Sequence, residues 1–137
     1  MSNNLIHLEI VTPRKIDFSD DVKSFTAPGT EGSFQVLPRH APFITTLQVG
    51  KVKFITKDGY EKVYATSGGV VEVHDNKISM LAETIEAKED IDIERAQTAK
   101  LKAEKKLETA TGNEIEIAKG ALLRALNRLR VAGADTN

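Results

Sequence analysis

Apolar and polar residues alternate in short runs over the first 86 residues of the chain. Ile6, Leu8 and Ile10 alternate with His7 and Glu9, which is the two-residue period of a strand with one buried face. Further runs of this kind cover residues 22–25, 33–37, 50–56, 60–66, 70–73 and 77–81. Many short strands separated by turns predict an antiparallel β-sandwich or barrel.

Turn residues separate these runs, since all four prolines and six of the nine glycines lie in this half of the chain. Asp58-Gly59 and Asp75-Asn76 each stand between two alternating runs. Such dipeptides predict two-residue hairpin turns in which both residues take a positive φ.

The period changes near Glu86, and no proline follows it. Asp90 can cap a helix that we expect to span residues 91–111 and to end at Gly112. The apolar residues of this helix's seam are mostly alanine: Ile93, Ala96, Ala103, Leu107 and Ala110. Lys100 occupies a further seam position, between Ala96 and Ala103.

A second helix is predicted over residues 114–132. Asn113 and Glu116 resemble a capping box at its start, and Gly133 can end it. Its heptad-like seam consists of Ile115, Ala118, Leu122, Ala125 and Leu129. A two-residue link would make the two helices antiparallel, so we expect a helical hairpin.

These patterns predict an α+β chain of two domains, a β-sandwich over residues 1–86 and a helical hairpin over residues 87–137. An alanine seam buries little apolar area, at ~25 cal/mol per Å². The hairpin is therefore expected to be weakly held and able to leave its resting place, although a rigidly docked hairpin fits the same pattern.

Composition adds few constraints to this prediction. Lys+Arg is 19 and Asp+Glu is 20 in 137 residues, so the charge balance indicates neither nucleic acid nor direct membrane binding. The absence of cysteine excludes disulfides. The start MSNNLIHLEI is not a secretory signal and no apolar run could span a bilayer, so we expect a soluble chain that only a partner holds at a membrane.

Motifs for catalysis are missing from the sequence. There is no phosphate-binding GxxxxGK[ST] loop, and the histidines lack metal-ligand spacing. Ser67-Gly68-Gly69 joins two predicted strands, which favours a tight turn or bulge. We predict no catalytic residues, no metal site and no enzymatic activity.

One loop is unusual, because residues 37–42 combine two prolines with Arg39 and His40. A stiff connection between strands explains this composition. A docking surface explains it equally well, because stiff exposed loops with apolar and basic tips suit partner binding.

Five segments, in order along the whole chain, resemble the epsilon subunit family of F-type ATP synthases. They are LEIVTP at 8–13, VLPRHAP at 36–42, SGGVVEV at 67–73, EDIDIERA at 89–96 and RALNRL at 124–129. Two positions depart from the family pattern. Arg39 stands where glycine is usual, and Ser33 stands where some members carry an acidic residue, with Glu31 nearby.

The resemblance implies a non-catalytic rotor-stalk subunit that requires no cofactor. The sandwich would bind the gamma subunit and the membrane c-ring, with docking residues Glu31, Pro38, Arg39, His40 and Pro42. The extended hairpin would reach the alpha and beta subunits of the catalytic head and oppose ATP hydrolysis through Arg124, Arg128 and Arg130. We expect the subunit to be peripheral to the membrane, on the cytoplasmic face of a bacterial plasma membrane or on the stromal face of a plastid thylakoid.

In some bacterial members the folded hairpin binds ATP as a regulatory ligand. The matching residues are Glu86, Ile91, Asp92, Arg95, Ala96, Lys102, Arg124 and Arg128, and Lys102 replaces the arginine of better binders. Arg124 and Arg128 lie one turn apart and can meet a triphosphate, but complementarity to the helix dipole explains them too. Two other functions stay open, a stand-alone ATP sensor and a structural adaptor that dimerises through its hairpin.

Overall fold

The computed structural model describes residues 4–134, which divide into two compact units, one up to Ala87 and one from Lys88 onward. In the first unit the strands are β1 Ile6–Val11, β2 Ile16–Gly29, β3 Gly32–Val36, β4 Phe43–Leu47, β5 Gly50–Thr56, β6 Glu61–Thr66, β7 Gly69–His74, β8 Lys77–Ala82 and β9 Ile85–Ala87. The second unit holds a 3-10 turn, Lys88–Asp90, and the helices α1 Ile93–Thr109 and α2 Asn113–Ala132.

The long strand β2 organises the first unit. Its first half pairs with β1, and its second half pairs with β3 and β5. From β1 the sheet continues through β8 and β7 to β4, and from β5 through β6 to β9. Alternate residues point inward and form the core, as the two-residue period predicts: Ile6, Leu8, Ile10, Val22, Phe25, Ala27, Val36, Leu47, Val52, Phe54, Val71, Val73, Ile78, Met80 and Ala82. The predicted sandwich is confirmed.

One pair of strands corrects the prediction of an antiparallel sandwich. β1 and β8 run parallel, with Leu8 opposite Ile78 and Ile10 opposite Met80. No tight hairpin joins these two strands, so their relative direction is free of the constraint that makes hairpin neighbours antiparallel.

The two predicted hairpin turns differ from each other. Asp75 and Asn76 have φ values of 52° and 58°, which confirms a two-residue turn with both residues left-handed. At the other turn only Gly59 has a positive φ, 91°, and its N–H donates to the Thr56 carbonyl at 2.9 Å. The Thr56 N–H also donates to the Tyr60 carbonyl at 2.8 Å, so three residues, 57–59, lie between this bonded pair. The prediction for Asp58 is wrong, because such a three-residue turn needs one left-handed position, at its end.

The start of α1 also differs from the prediction. The N-cap is Asp92, whose Oδ1 accepts the Arg95 backbone N–H at 3.0 Å. Asp90 belongs to the preceding 3-10 turn and cannot cap the helix. The helix ends with Ala110 as its C-cap, two residues before the predicted stop.

The link between the helices has three residues, Ala110 to Gly112, where two were predicted. Gly112, at φ 59°, is the N-cap of α2 and has no side chain to offer, so the predicted capping box of Asn113 and Glu116 is wrong. Glu114 performs part of that role, since its Oε1 accepts the Thr111 N–H at 3.3 Å. The predicted stop is confirmed, because Gly133 caps α2 at φ 79°.

Small residues fill the interface of the two helices, as the seam predicts. The buried seam residues are Ala96 and Ala103 on α1 with Ala118, Ala125 and Leu129 on α2. Ile93 is wrongly placed in the seam, since it is 40% exposed, whereas Ile91 just before the helix is buried. Asn127 and Val131 are buried as well, although the seam does not include them.

A chain truncated to residues 1–87 should fold without the helices. The whole hydrophobic core cluster lies within the nine strands, so the deletion removes none of it. We expect one cooperative thermal transition by circular dichroism and dispersed amide resonances. A broad, non-cooperative melt would show that the sandwich depends on the hairpin.

Candidate functional site

The loop between β3 and β4 is built on a tight turn. The His40 N–H donates to the Leu37 carbonyl at 3.1 Å, which places Pro38 and Arg39 at the two central positions. Arg39 has φ 63°, in the left-handed region. Proline followed by a left-handed residue is the pattern of a type II turn, in which the third position favours glycine.

Side chains fasten this loop to the sandwich. The Arg39 N–H donates to Asn76 Oδ1 at 2.7 Å, and Asn76 Nδ2 donates to the Leu5 carbonyl at 3.0 Å. His40 Nδ1 donates to the Ala41 carbonyl at 2.7 Å, and its ring centroid lies 5.9 Å from that of Phe43. The loop is therefore stiff, while Arg39 and Pro42 are exposed to solvent.

Glu31, the remaining residue of the docking set, lies elsewhere. It belongs to the turn between β2 and β3, whereas Pro38 to Pro42 follow the end of β3. A five-residue strand is about 16 Å long. Strand β3 therefore separates Glu31 from the loop, and the five residues do not form one continuous patch.

The residues of the implied nucleotide site fall in both units. Glu86 lies on β9, and the other seven lie in the hairpin unit. Ile91 and Ala96 are buried, with 8% and 2% exposure, so their side chains support the helices. Among the polar residues, Asp92 is committed to the N-cap of α1, and Arg95 and Lys102 are exposed.

A groove of about 520 Å³ lies between the helices. Alanines form half of its lining, with Lys102 and Lys106 on α1 and Ile117 on α2. The lining is Ala99, Lys102, Ala103, Lys106, Thr109, Ala110, Glu114, Ile117, Ala118 and Ala121. Lys106 was not a predicted site residue, although its spacing of four from Lys102 places both on one helix face.

Helical spacing relates the arginines of the implied nucleotide site to residues that line this groove. Seven residues are close to two helical turns, so Arg95 shares a face of α1 with Lys102. By the same spacing Arg124 shares a face of α2 with Ile117, and Arg128 follows one turn later. The groove itself is lined by Lys102 and Lys106 and also by the acidic Glu114, whereas the three arginines are related to it only by helical spacing.

Arg124 is held close to the surface of α2. A Cβ added at Gly120 would stand 3.3 Å from Arg124 Nη1, so the guanidinium extends over the bare backbone of that glycine. Arg130 is in the last turn of α2, where a cation complements the helix dipole. Arg124 lies two turns before the helix end, beyond the reach of that effect, so the dipole explains Arg130 better than Arg124.

Family models cover both units of the chain. The model described as "ATP synthase, Delta/Epsilon chain, beta-sandwich domain" matches residues 5–88, and that described as "ATP synthase, Delta/Epsilon chain, long alpha-helix domain" matches residues 89–133. The chain belongs to the ATP synthase delta/epsilon family. The family resemblance seen in the sequence is thereby confirmed.

Relatives and solved structures within this family match nearly the full chain. An "ATP synthase epsilon chain" of Nitratidesulfovibrio vulgaris is 46% identical over 129 residues, 93% of this chain and 96% of the relative. One of Desulforamulus reducens is 42% identical over 127 residues, 91% of this chain and 95% of the relative. A chain of the Euglena gracilis mitochondrial ATP synthase, solved with OSCP, F1 and the c-ring, has a TM-score of 0.84 at 22% identity and shows the same fold, covering 94% of this chain and 81% of its own.

One cluster on this delta/epsilon sandwich was missed in the sequence. Ser19 Oγ lies 3.4 Å from His7 Nε2, and His7 Nδ1 lies 3.0 Å from Asp21 Oδ1. The order of groups resembles a catalytic triad, but the residues stand on the open outer face of β1 and β2. Acyl transfer needs donors aimed at an oxyanion, which a strand face does not offer, so we interpret the cluster as a surface hydrogen-bond network.

Two negative observations apply to residues 4–134 of this family member. No group of three or more His, Cys, Asp or Glu side chains is arranged to hold a metal ion in that range. Neither helix there is long and apolar enough to cross a membrane.

Proposed function

We propose that this chain is the epsilon subunit in the rotor stalk of a proton-translocating F-type ATP synthase and that it performs no catalysis itself. The observation that carries the proposal is the match of both units, at up to 46% identity over 129 residues, to proteins named ATP synthase epsilon chain. Its bacterial relatives support a peripheral position on the cytoplasmic face of the plasma membrane.

The sandwich is the proposed docking unit, with the gamma subunit and the c-ring as its partners. The stiff loop of residues 37–42 supports this role, because its turn and its bond to Asn76 fix the backbone before any partner arrives. A preorganised loop loses little conformational entropy on binding. Glu31, at the other end of β3, would belong to a separate contact.

The hairpin is the proposed regulatory unit. The seam between its two helices is mostly alanine, so parting the helices from each other exposes little apolar area, and a modest gain elsewhere can compensate for it. Extended, it would reach the alpha and beta subunits and slow hydrolysis, with Arg124, Arg128 and Arg130 as contact residues. Guanidinium groups keep their charge and bind carboxylates in pairs, which suits an acidic surface of the catalytic head.

ATP is the proposed ligand of the resting hairpin. Lys102 lines the alanine-rich groove. Helical spacing places Arg95 on the same face of α1, and Arg124 and Arg128 on one face of α2, so these cations are the candidates to contact a triphosphate. While they bind ATP, the same arginines cannot contact the catalytic head. ATP would shift the equilibrium toward the resting state because it binds that state more tightly than the extended state. A ligand shifts a conformational equilibrium only through such a difference in affinity. Calorimetry of the chain with millimolar ATP tests this step. If no heat of binding is observed, ATP is not part of the mechanism.

The isolated chain should not hydrolyse ATP. Its sequence has no phosphate loop, and residues 4–134 contain no metal cluster. We expect phosphate release equal to a buffer blank at every step of purification. Release that follows the monomer peak through repeated chromatography would contradict a purely regulatory function.

Reconstitution tests the proposed function as a whole. Inverted membrane vesicles whose synthase lacks this chain should pump protons poorly on addition of ATP, since the head and ring are then uncoupled. Adding the full chain, or residues 1–87 alone, should restore acidification of the vesicles, measured by dye quenching. Failure of the full chain to restore pumping would contradict the proposal.

A further inference from the structure

The groove between α1 and α2 is a hollow in the surface of the hairpin unit. Its volume is about 520 Å³, and five of its ten lining residues are alanines. Alanine side chains are short, so the helices touch along their buried seam and leave space beside it. A larger apolar side chain that enters this space from outside would be removed from water.

A large apolar side chain stands in the wall of the same groove. Ile117 lines the groove and is 70% exposed, more than Leu101 and Leu123 on the same two helices. One hairpin therefore carries both a protruding isoleucine and, beside it, a hollow that can receive one. A surface that holds both halves of a contact can pack against a second copy of itself about a two-fold axis.

The charged residues of the groove are complementary in the same way. Lys106 lies on the α1 side and Glu114 on the α2 side. Glu114 accepts the Thr111 N–H, but within residues 4–134 no ion pair joins Lys106 or Glu114 to another side chain. A second copy of the groove offers each of them the opposite charge.

A two-fold axis parallel to the helices brings these groups together. Lys106 stands three residues before the end of α1 at Thr109, and Glu114 stands one residue after the start of α2. At 1.5 Å per residue, both lie within about 5 Å of the helix ends at the hairpin tip. Such an axis lays α2 of one copy over α1 of the other at the same height, so that each Glu114 meets a Lys106 and each Ile117 meets the alanines.

We propose that the free chain forms a two-fold symmetric dimer through this groove, with Ile117 of each copy packed against the alanines of the other and with Lys106 paired to Glu114 across the interface. The inference concerns the chain before other proteins bind it, and it does not depend on the proposed rotor function. Ten lining residues are fewer than the roughly 20–30 per partner of a stable interface. The dimer is therefore weak, with a dissociation constant of about 50 µM, and it dissociates on dilution.

Sedimentation velocity of the purified full chain, at concentrations from about 1 to 500 µM, tests for the dimer. The measurement is made without nucleotide, because Lys102 in the same groove is a proposed ATP contact. We expect the mass to rise with concentration from 15.0 kDa toward twice that value. A mass that stays at 15.0 kDa over the whole range would overturn the inference.

Ile117→Glu locates the interface. It should weaken association at least about tenfold, since a carboxylate would be buried among alanines. Leu101→Glu is the matched control, because Leu101 is 62% exposed and lies outside the groove lining. Both residues are exposed, so neither substitution opens the core, and circular dichroism checks the helix content of each variant. Equal association by the two variants would contradict an interface at the groove.

Lys106→Glu and Glu114→Lys test the pairing across the interface. Each variant alone should associate about tenfold more weakly than the original chain, because like charges then face each other at two symmetric places. A mixture of the two variants should form a mixed dimer about as tightly as the original chain. In that dimer one contact is the original pair and the other is the same pair with its charges exchanged.

Native mass spectrometry separates the mixed dimer from dimers of either variant by mass. An ion pair within one chain cannot produce this recovery on mixing, so the result distinguishes contact between copies from contact within a copy. A mixture that associates no more tightly than the separate variants would overturn the proposed pairing and with it the inference.

Discussion

Removing the hairpin, residues 88–137, is expected to raise ATP hydrolysis by a reconstituted head of alpha, beta and gamma subunits about tenfold above the rate with the full chain. A tenfold change corresponds to a coupling free energy of about 1.4 kcal/mol, within the usual range for regulation between sites. The physical reason is that α2 carries the proposed contact residues Arg124, Arg128 and Arg130, while the sandwich keeps its complete core. The measurement is steady-state phosphate release at saturating amounts of each variant.

Arg124→Ala with Arg128→Ala should reproduce most of that release of inhibition and should weaken ATP binding as well. Lys105→Ala with Lys119→Ala is the matched control, because it removes two exposed positive charges from the same hairpin, one on each helix. We expect the control to inhibit like the original chain. If the deletion leaves hydrolysis as slow as the full chain does, the hairpin is not a brake.

Gly69→Ala is expected to destabilise the sandwich by roughly 3–5 kcal/mol, enough to unfold a marginal domain. Gly69 begins β7 between β4 and β8, with φ 150°. A Cβ there would collide with the Leu81 carbonyl oxygen and stand 3.0 Å from the Ala82 Cα. Both contacts are with backbone, which cannot rotate away as a side chain can. Thermal and urea unfolding of the full chain measure the loss.

Gly32→Ala is the matched control for this substitution. Gly32 also has a left-handed backbone, at φ 126°, but an added Cβ would have no heavy atom within 4 Å. We expect a loss of about 1 kcal/mol, due to backbone strain alone. If the two substitutions lower the free energy of unfolding equally, β7 and β8 do not approach each other at Gly69 as closely as in the structure.

The sequence predicted the parts of the fold that depend on periodicity. The two-residue period of Ile6, Leu8 and Ile10 reports which face of a strand meets the core, and that face is buried. The alanine seam of the hairpin follows in the same way. The hydrophobic period does not show which strands pair or in which direction they run, so it could not predict the parallel pairing of β1 and β8.

Helix ends were harder to predict than helix existence. Asp90 and Asp92 are both good caps by residue type, and only the 3-10 turn over Lys88–Asp90 decides between them. The link after Thr109 was predicted one residue too short for a similar reason. Gly112 can end one helix or begin the next, and its φ of 59° is used at the start of α2.

The candidate sites depended on contacts that no local pattern contains. The resemblance named Arg39, but the bond that ties its backbone N–H to the sandwich is made with Asn76, which is 37 residues away in the chain. Lys106 lines the groove because α1 and α2 pack side by side, and the sequence of α1 alone does not show this. The resemblance also grouped Glu31 with the loop of residues 37–42, and the structure places them at opposite ends of β3.

Co-purification tests the central claim most directly. The tagged full chain should be isolated from detergent-solubilised membranes with one copy of the gamma subunit, identified by mass spectrometry, together with the c-ring. A tagged chain truncated to residues 1–87 should retain gamma, because the proposed docking surfaces lie on the sandwich. Isolation of the chain alone with bound nucleotide would indicate a stand-alone sensor, and isolation as a homodimer without gamma would indicate an adaptor. Either result would contradict its identity as a rotor subunit.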